Sequence, residues 1–116
     1  MDAQEFGDVM VDFDALLEKQ TTFYVVFFQI KNKSIDEVKT KAPETIVAHI
    51  KRSKEFHKRG TLLMAGAFLD QPEEPVRTMG VLTSREAAED FAKGDPFVQI
   101  GMVEKWYIRE WANLLK

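Results

Sequence analysis

The sequence predicts an α+β domain in which four strands form one antiparallel sheet and two helices pack on one of its faces. Three observations lead to this prediction. Four stretches are rich in the apolar, β-branched and aromatic residues that favour strands. Two other segments have the apolar spacing of amphipathic helices, and together the segments follow the order β-α-β-β-α-β. A chain of 116 residues with this order forms a single domain.

An acidic extension precedes these elements. The first twenty residues contain six acids and a single base, Lys19. We expect residues 1–9 to be loose and residues 10–20 to form a helix capped by Asp12, which docks on the domain or on a partner subunit. A disordered tail is the alternative. The chain is thus divided into an extension, residues 1–21, and a folded domain, residues 22–116. The apolar stripe of the expected helix consists of Val11, Phe13, Leu16 and Leu17.

Residues 23–30 carry the strongest strand signal in the chain. Phe23, Val25 and Phe27 point to one face of this strand, and the residues between them, which are also apolar, point to the other. The lysine-rich residues 31–42 that follow are predicted to form a loop with one helical turn at 35–38.

Residues 43–59 are predicted to form the central helix. Pro43 suits the first helical position, and Gly60 suits the position that terminates a helix after a basic last turn. The packed face is centred on Ile46, Ile50, Ser53 and His57, with His49 and Phe56 on its flank. The solvated face consists of Glu44, Lys51, Arg52, Glu55, Lys58 and Arg59.

The second half of the chain supplies the remaining elements. Residues 62–69 are apolar on both faces, so we expect a strand in the middle of the sheet. A loop with two prolines leads to a third strand, residues 76–82, that pairs back as a hairpin. Ser84, or Thr83, caps a second helix that ends at Gly94. Residues 97–103 add a helical turn, and residues 106–111 form the last strand.

This order of elements is that of the ferredoxin-like fold, in which both helices lie on one face of a four-stranded sheet. The other face would then be bare, although residues 23–30 and 62–69 are apolar on both sides. The chain contains no further element large enough to cover it. We therefore expect a homodimer packed sheet to sheet, or a higher oligomer built from that dimer.

The composition excludes several classes of function. The absence of cysteine excludes a disulfide framework, a thiolate nucleophile and a cysteine-ligated metal. A net charge of −3 provides no general attraction to nucleic acid or to an anionic membrane. No stretch approaches the ~20 apolar residues of a membrane span, and no signal segment opens the chain. His49 and His57 are too far apart in sequence for a helical metal pair. We expect a cytoplasmic protein without metal or cofactor.

His49 and Asp95 are the candidates for acid–base chemistry. A neutral imidazole accepts a proton near neutral pH, and a neighbouring carboxylate fixes its tautomer and stabilises its charged form. Two simpler interpretations remain open: His49 is a packed core residue, and Asp95, which precedes Pro96, is a helix cap. A carboxylate that caps a helix cannot easily serve as a free base as well.

Three motifs resemble those of the YCII-related family of dimeric α+β barrel proteins. His49 stands eleven residues before Gly60, residues 62–68 (LLMAGAF) are similar to the family's LL-x-A-G-x-F strand, and residues 95–98 (DPFV) are similar to its D-P-[YF]-V. The resemblance covers roughly residues 22–111. It implies a pocket beside the dimer barrel in which His49 and Asp95 form a catalytic pair. We expect Gly66, Phe68 and Phe97, which belong to these motifs, to contact the substrate.

The same resemblance indicates which function to expect. Some YCII-like proteins are dehydrochlorinases of chlorinated hydroxyquinols, and many have no assigned reaction. One departure concerns an Arg-Pro pair that often precedes the family's histidine by two or three residues, whereas Pro43 lies six residues before His49. We expect a small planar or anionic metabolite, a class that includes aromatic compounds, to bind, with cofactor-independent proton transfer of the lyase or isomerase type. The alternatives are a non-catalytic binding or assembly protein with a vestigial pocket, and an oxygenase acting on aromatic substrates or haem.

Overall fold

The structure, a computed structural model, describes residues 1–16, 22–31 and 33–113. The elements in chain order are α1 (Ala3–Leu16), β1 (Thr22–Ile30), α2 (Ile35–Lys41), α3 (Pro43–Lys58), β2 (Leu62–Ala67), β3 (Arg77–Leu82), α4 (Arg85–Lys93), α5 (Pro96–Gln99) and β4 (Val103–Ala112). The strands form one sheet in the order β2-β3-β1-β4, and every neighbouring pair is antiparallel. This arrangement confirms the predicted ferredoxin-like α+β fold with an extra N-terminal helix.

The core lies between the sheet and the helices. Val26 and Phe28 of β1 pack with Phe56 of α3 and Phe91 of α4 in the larger buried cluster. Ile30 belongs to a second cluster with residues of α2 and α5. Since these β1 residues alternate along the strand, all of them point to the same face of the sheet. The helices α2 to α5 therefore share one face, as expected.

The opposite face of the sheet, which we call the outer face, carries a row of aromatic residues. Phe27 of β1 stacks on Tyr107 of β4, with ring centroids 5.0 Å apart. Phe23 lies beside Trp111 at the end of the same strand pair, at 6.4 Å. Tyr107 and Trp111 are 45 % and 50 % exposed in the single chain. The predicted bare apolar face is thus present.

The position of β2 corrects the sequence prediction. Residues 62–69 were expected to form a central strand, but β2 is an edge strand that pairs only with β3 among the described strands. Leu62 is its single buried residue. The apolar character of this stretch has another cause, because the strand borders a large cleft instead of lying between two other strands.

Helix α1 also differs from the prediction. It begins at Ala3, so residues predicted to be loose are helical, and the Asp2 carboxylate accepts a hydrogen bond from the Glu5 backbone N–H at 2.8 Å in its first turn. Residues 1–15 are all exposed, so the helix does not pack on its own domain. Leu17 and the predicted end of the helix lie outside the described residues.

The segment predicted as a loop after β1 contains a full short helix, α2. Ser34 and Glu37 form a capping box, since each donates its backbone N–H to the side chain of the other. The hydrogen bond from the Ser34 backbone lowers the pKa of the Glu37 carboxyl. The reciprocal cap explains why this lysine-rich segment is helical. The last strand likewise starts earlier than predicted, at Val103, because α5 is a single turn.

No helix among the described residues has the length and apolar character that crossing a membrane requires.

Candidate active site

A cleft of about 660 Å³ lies between α3 and the edge strand β2, on the face of the sheet that carries the helices. Its volume is within the range of sites that hold small organic ligands. Most of the lining is apolar, and the polar exceptions include His49, Asp95, Ser53 and His57. The predicted apolar stripe of α3 therefore faces a cavity instead of a closed core, which explains why Ile50 is 46 % exposed.

His49 and Asp95 meet inside this cleft. His49 projects from the second turn of α3, and Asp95 stands between α4 and α5. The Nδ1 atom of His49 is hydrogen-bonded to Oδ1 of Asp95. The structure thus brings together two residues that lie 46 positions apart in the sequence.

Asp95 combines two roles that the sequence analysis treated as alternatives. While Oδ1 contacts the imidazole, Oδ2 accepts a hydrogen bond from the backbone N–H of Phe97 at 2.9 Å and so caps α5. The two oxygens of one carboxylate serve one partner each. The residue is only 2 % exposed, and a buried carboxylate is stable when its oxygens are occupied in this way.

This arrangement defines what His49 can do chemically. An ionised Asp95 only accepts hydrogen bonds, so the bonded Nδ1 carries the proton and Nε2 of the neutral ring keeps its lone pair. Among the described residues none forms a hydrogen bond with Nε2. The His49 side chain is 23 % exposed and lines the cleft. Its ring can therefore accept a proton from a bound molecule while Asp95 stabilises the resulting charge.

Arg52 holds the two elements of the site together, a role that the sequence analysis missed. It was assigned to the solvated face of α3, but its two terminal nitrogens donate to the backbone carbonyls of Phe91 and Asp90, each at 2.8 Å. The guanidinium also lies over the Phe56 ring, 4.7 Å from its centroid. These bonds tie α3 to the end of α4, immediately before Asp95. A Cβ at Gly94 would come within 2.4 Å of the guanidinium, so this glycine leaves room for it.

The expected substrate contacts divide into two groups. Phe97 lines the cleft, and its ring centroid lies 5.5 Å from that of His49. Gly66 lines the same cleft from β2. Phe68, however, lines a separate recess of about 450 Å³ with Phe27 and Tyr107 of the outer face. Phe68 follows Ala67, the last residue of β2, so it lies past the end of the strand that borders the cleft.

His57 was expected to be a packing residue but is exposed. Its Nδ1 donates a hydrogen bond to the backbone carbonyl of Leu62 at 2.8 Å, which links the end of α3 to the start of β2.

Within the described residues no three histidine, aspartate or glutamate side chains gather in a way that would hold a metal ion. Lys39 and Lys54 border the cleft as well, although nothing in the sequence pattern distinguishes them from other surface lysines.

Comparison with known proteins places the chain in a family. The model of the YCII-related domain matches residues 22–112. Among solved structures, the chain is similar to TftG, the 5-chloro-2-hydroxyhydroquinone dehydrochlorinase of Burkholderia phenoliruptrix AC1100, in complex with 2,5-dihydroxybenzoquinone. The TM-score is 0.59 at 11 % identity, over 77 % of this chain and 92 % of TftG.

A second solved structure is At3g17210 from Arabidopsis thaliana, with a TM-score of 0.43 and 13 % identity over 79 % of this chain and 94 % of the other. No curated protein matches the sequence. At 11 % identity, the likeness to TftG bears on the fold alone. The family model, in contrast, spans most of the sequence. The chain therefore belongs to the YCII-related domain family.

Proposed function

We propose that the protein is a cytoplasmic enzyme that binds a small planar metabolite, of the hydroxyquinol or hydroxyquinone class, in the α3–β2 cleft. His49 would transfer a proton to and from this molecule without a cofactor. The observation that carries the proposal is the His49–Asp95 pair, whose free imidazole nitrogen lies in an apolar cleft of suitable size. The complex of TftG with 2,5-dihydroxybenzoquinone guides the choice of ligand class.

Five residues of the cleft have a part in this chemistry. Nε2 of His49 accepts the proton of a phenol or of an acidic C–H, and Asp95 stabilises the imidazolium until it releases the proton. The Phe97 ring beside the imidazole offers a surface for a planar ligand. Lys39 and Lys54 at the border of the cleft favour the anionic form of a phenol. The reaction class is a lyase or isomerase step. In an isomerase step the same histidine returns the proton to another atom of the product. In a lyase step the electron pair of the broken C–H bond forms the new double bond, the leaving group departs with the electron pair of its own bond, and the imidazolium passes its proton to water.

We expect His49→Asn to abolish turnover while preserving the fold. The asparagine amide nitrogen occupies about the place of Nδ1 and can still donate to Asp95, whereas Nε2 is deleted. A positioned general base typically contributes about 10²–10⁴-fold to a rate, so a loss of that size is expected for a hydroxyquinol substrate followed by absorbance. His57→Asn, which changes an exposed histidine at the same cleft, is the matched control.

The comparison also distinguishes the alternatives. Tight ligand binding that both variants retain, with no turnover by the parent protein, would favour a non-catalytic binding protein. Equal turnover by His49→Asn and the parent would remove His49 from the mechanism. A haem absorption band after incubation with haem would favour an oxygenase instead.

We further propose that the protein is a homodimer in which the outer faces of two sheets pack together. The exposed aromatic residues of β4 and their partners on β1 support this proposal, because an isolated chain would leave them in water. Tyr107→Asp should convert the dimer into a folded monomer of 13.4 kDa, which sedimentation velocity would detect. Val25 is less suitable for this test because it is already buried within the chain, so a charge there would unfold it.

Tyr107→Phe, which preserves the stack on Phe27, should remain dimeric. If the parent protein sediments as a folded monomer at micromolar concentration, sheet-to-sheet packing is not how the outer face is used.

A further inference from the structure

Helix α1 presents an apolar stripe that its own chain leaves uncovered. Phe6, Val9, Met10 and Phe13 follow each other at helical spacing and are between 41 and 60 % exposed. Residues 1–15 include no buried position. An amphipathic helix of this kind is stable when a partner surface covers its stripe, since most helical stability in proteins comes from packing of the apolar face.

An acidic edge runs along one side of this stripe. Glu5, Asp8 and Asp12 stand at positions i, i+3 and i+7, so they form a row on the helix surface. All three are exposed. Val11 lies on the opposite side of the helix from the stripe, so it would not contact a surface that covers the stripe.

The mouth of the α3–β2 cleft has the complementary features. Ile50 of α3 and Leu63, Met64 and Leu69 on the β2 side are exposed apolar residues that line the cleft. Lys51, Lys54 and Lys58 of α3 flank it, all exposed and at the same i, i+3, i+7 spacing as the acidic row of α1. The lengths also agree, because 14 helical residues span about 21 Å and the six residues of β2 span about 20 Å.

We infer that α1 of one copy of the chain docks across the mouth of the α3–β2 cleft of a second copy. Its apolar stripe covers the exposed apolar residues of the mouth, and its acidic row faces the lysine row of α3. Viewed from the N-terminus of each helix, the acids of α1 lie on one side of its apolar stripe and the lysines of α3 lie on the other side of theirs. The two rows therefore meet when α1 runs parallel to the partner's α3, as in a parallel helix pair.

A second copy is the occupant that the structure favours. Within the chain, α1 leaves the stripe exposed and the cleft mouth open, although both belong to the same molecule. Exchange between two copies covers both stripes and both mouths at once, as expected of a two-fold assembly. The contact is separate from the outer face of the sheet, and it does not require that the cleft be catalytic.

Disulfide trapping tests the contact directly, because the chain contains no cysteine. Full-length Val9→Cys is mixed with size-tagged full-length Ile50→Cys under mild oxidation. We expect the cross-linked heterodimer to form at least tenfold faster than with Val11→Cys, the matched control on the opposite side of the same helix. Equal trapping of Val9→Cys and Val11→Cys would overturn the inference. A Val9→Cys/Ile50→Cys double variant that closes only within one chain, at a rate independent of concentration, would also overturn it.

Charge reversal tests the pairing of the two rows. Glu5→Lys/Asp8→Lys/Asp12→Lys in the helix donor should reduce trapping about tenfold, since three exposed ion pairs of ordinary strength are lost. Lys51→Glu/Lys54→Glu/Lys58→Glu in the acceptor should restore it. The control is Asp70→Lys/Glu73→Lys/Glu74→Lys, which changes the net charge equally in an exposed loop and should leave trapping unchanged. Equal losses with the control and the α1 variant, or no restoration by the acceptor, would contradict the pairing.

Discussion

Replacing Asp95 with alanine is expected to destabilise the folded domain by about 2–4 kcal/mol. The substitution removes the cap of α5, worth about 0.5–2 kcal/mol, and leaves the backbone N–H of Phe97 and Nδ1 of His49 without their acceptor. Because Asp95 is buried, water does not readily replace the lost carboxylate. The free energy of unfolding, measured by urea denaturation, is the quantity that changes.

Asp95→Asn separates the two roles of the carboxylate. The asparagine side-chain oxygen can still accept from Phe97, so we expect a loss of only about 1–2 kcal/mol for this variant. Its imidazole partner, however, no longer contacts a negative charge, and turnover should fall as it does in His49→Asn. Equal destabilisation by alanine and asparagine would mean that the cap contributes nothing. Asparagine with full turnover would mean that the charge of Asp95 has no catalytic part.

Replacing Arg52 with alanine should lower the free energy of unfolding by about 2–4 kcal/mol and make the His49–Asp95 pair less ordered. Two charged hydrogen bonds to the C-terminal end of α4 are lost, together with the stacking of the guanidinium on Phe56. Arg52→Lys should recover only part of this loss, because a single ammonium does not reproduce the planar fork that bonds two carbonyls. Urea denaturation gives the stability, and the exchange rate of the His49 Nδ1–H proton in NMR spectra reports the order of the His49–Asp95 pair.

Arg59→Ala is the matched control. Arg59 also lies over the Phe56 ring, at 4.4 Å, but makes no bond to the α4 carbonyls. We expect a cost below about 1 kcal/mol and unchanged proton exchange at His49. If Arg59→Ala and Arg52→Ala were equally destabilising, the stacking on Phe56 would explain the effect of Arg52. The hydrogen bonds between α3 and α4 would then not be its cause.

Local patterns in the sequence were sufficient for the architecture. The order of the elements along the chain, the hairpin of β2 with β3, the central helix ending before Gly60 and the exposed outer face all follow from hydrophobic period and terminating residues. These signals are local because a strand or a helix is selected over a few neighbouring residues. The family motifs supported the candidates His49 and Asp95, whose hydrogen bond joins elements that are distant in the sequence.

The tertiary structure decided how those elements use their side chains. An apolar stretch is equally compatible with a central strand and with an edge strand that borders a cleft, so the position of β2 depended on its neighbours. Arg52 has the charge of a surface residue, and only the approach of α4 gives its guanidinium two carbonyls to bind. Asp95 caps α5 and contacts His49 because its two oxygens face different elements. Contacts of this kind depend on which segments meet in space, and no local pattern in the chain records that.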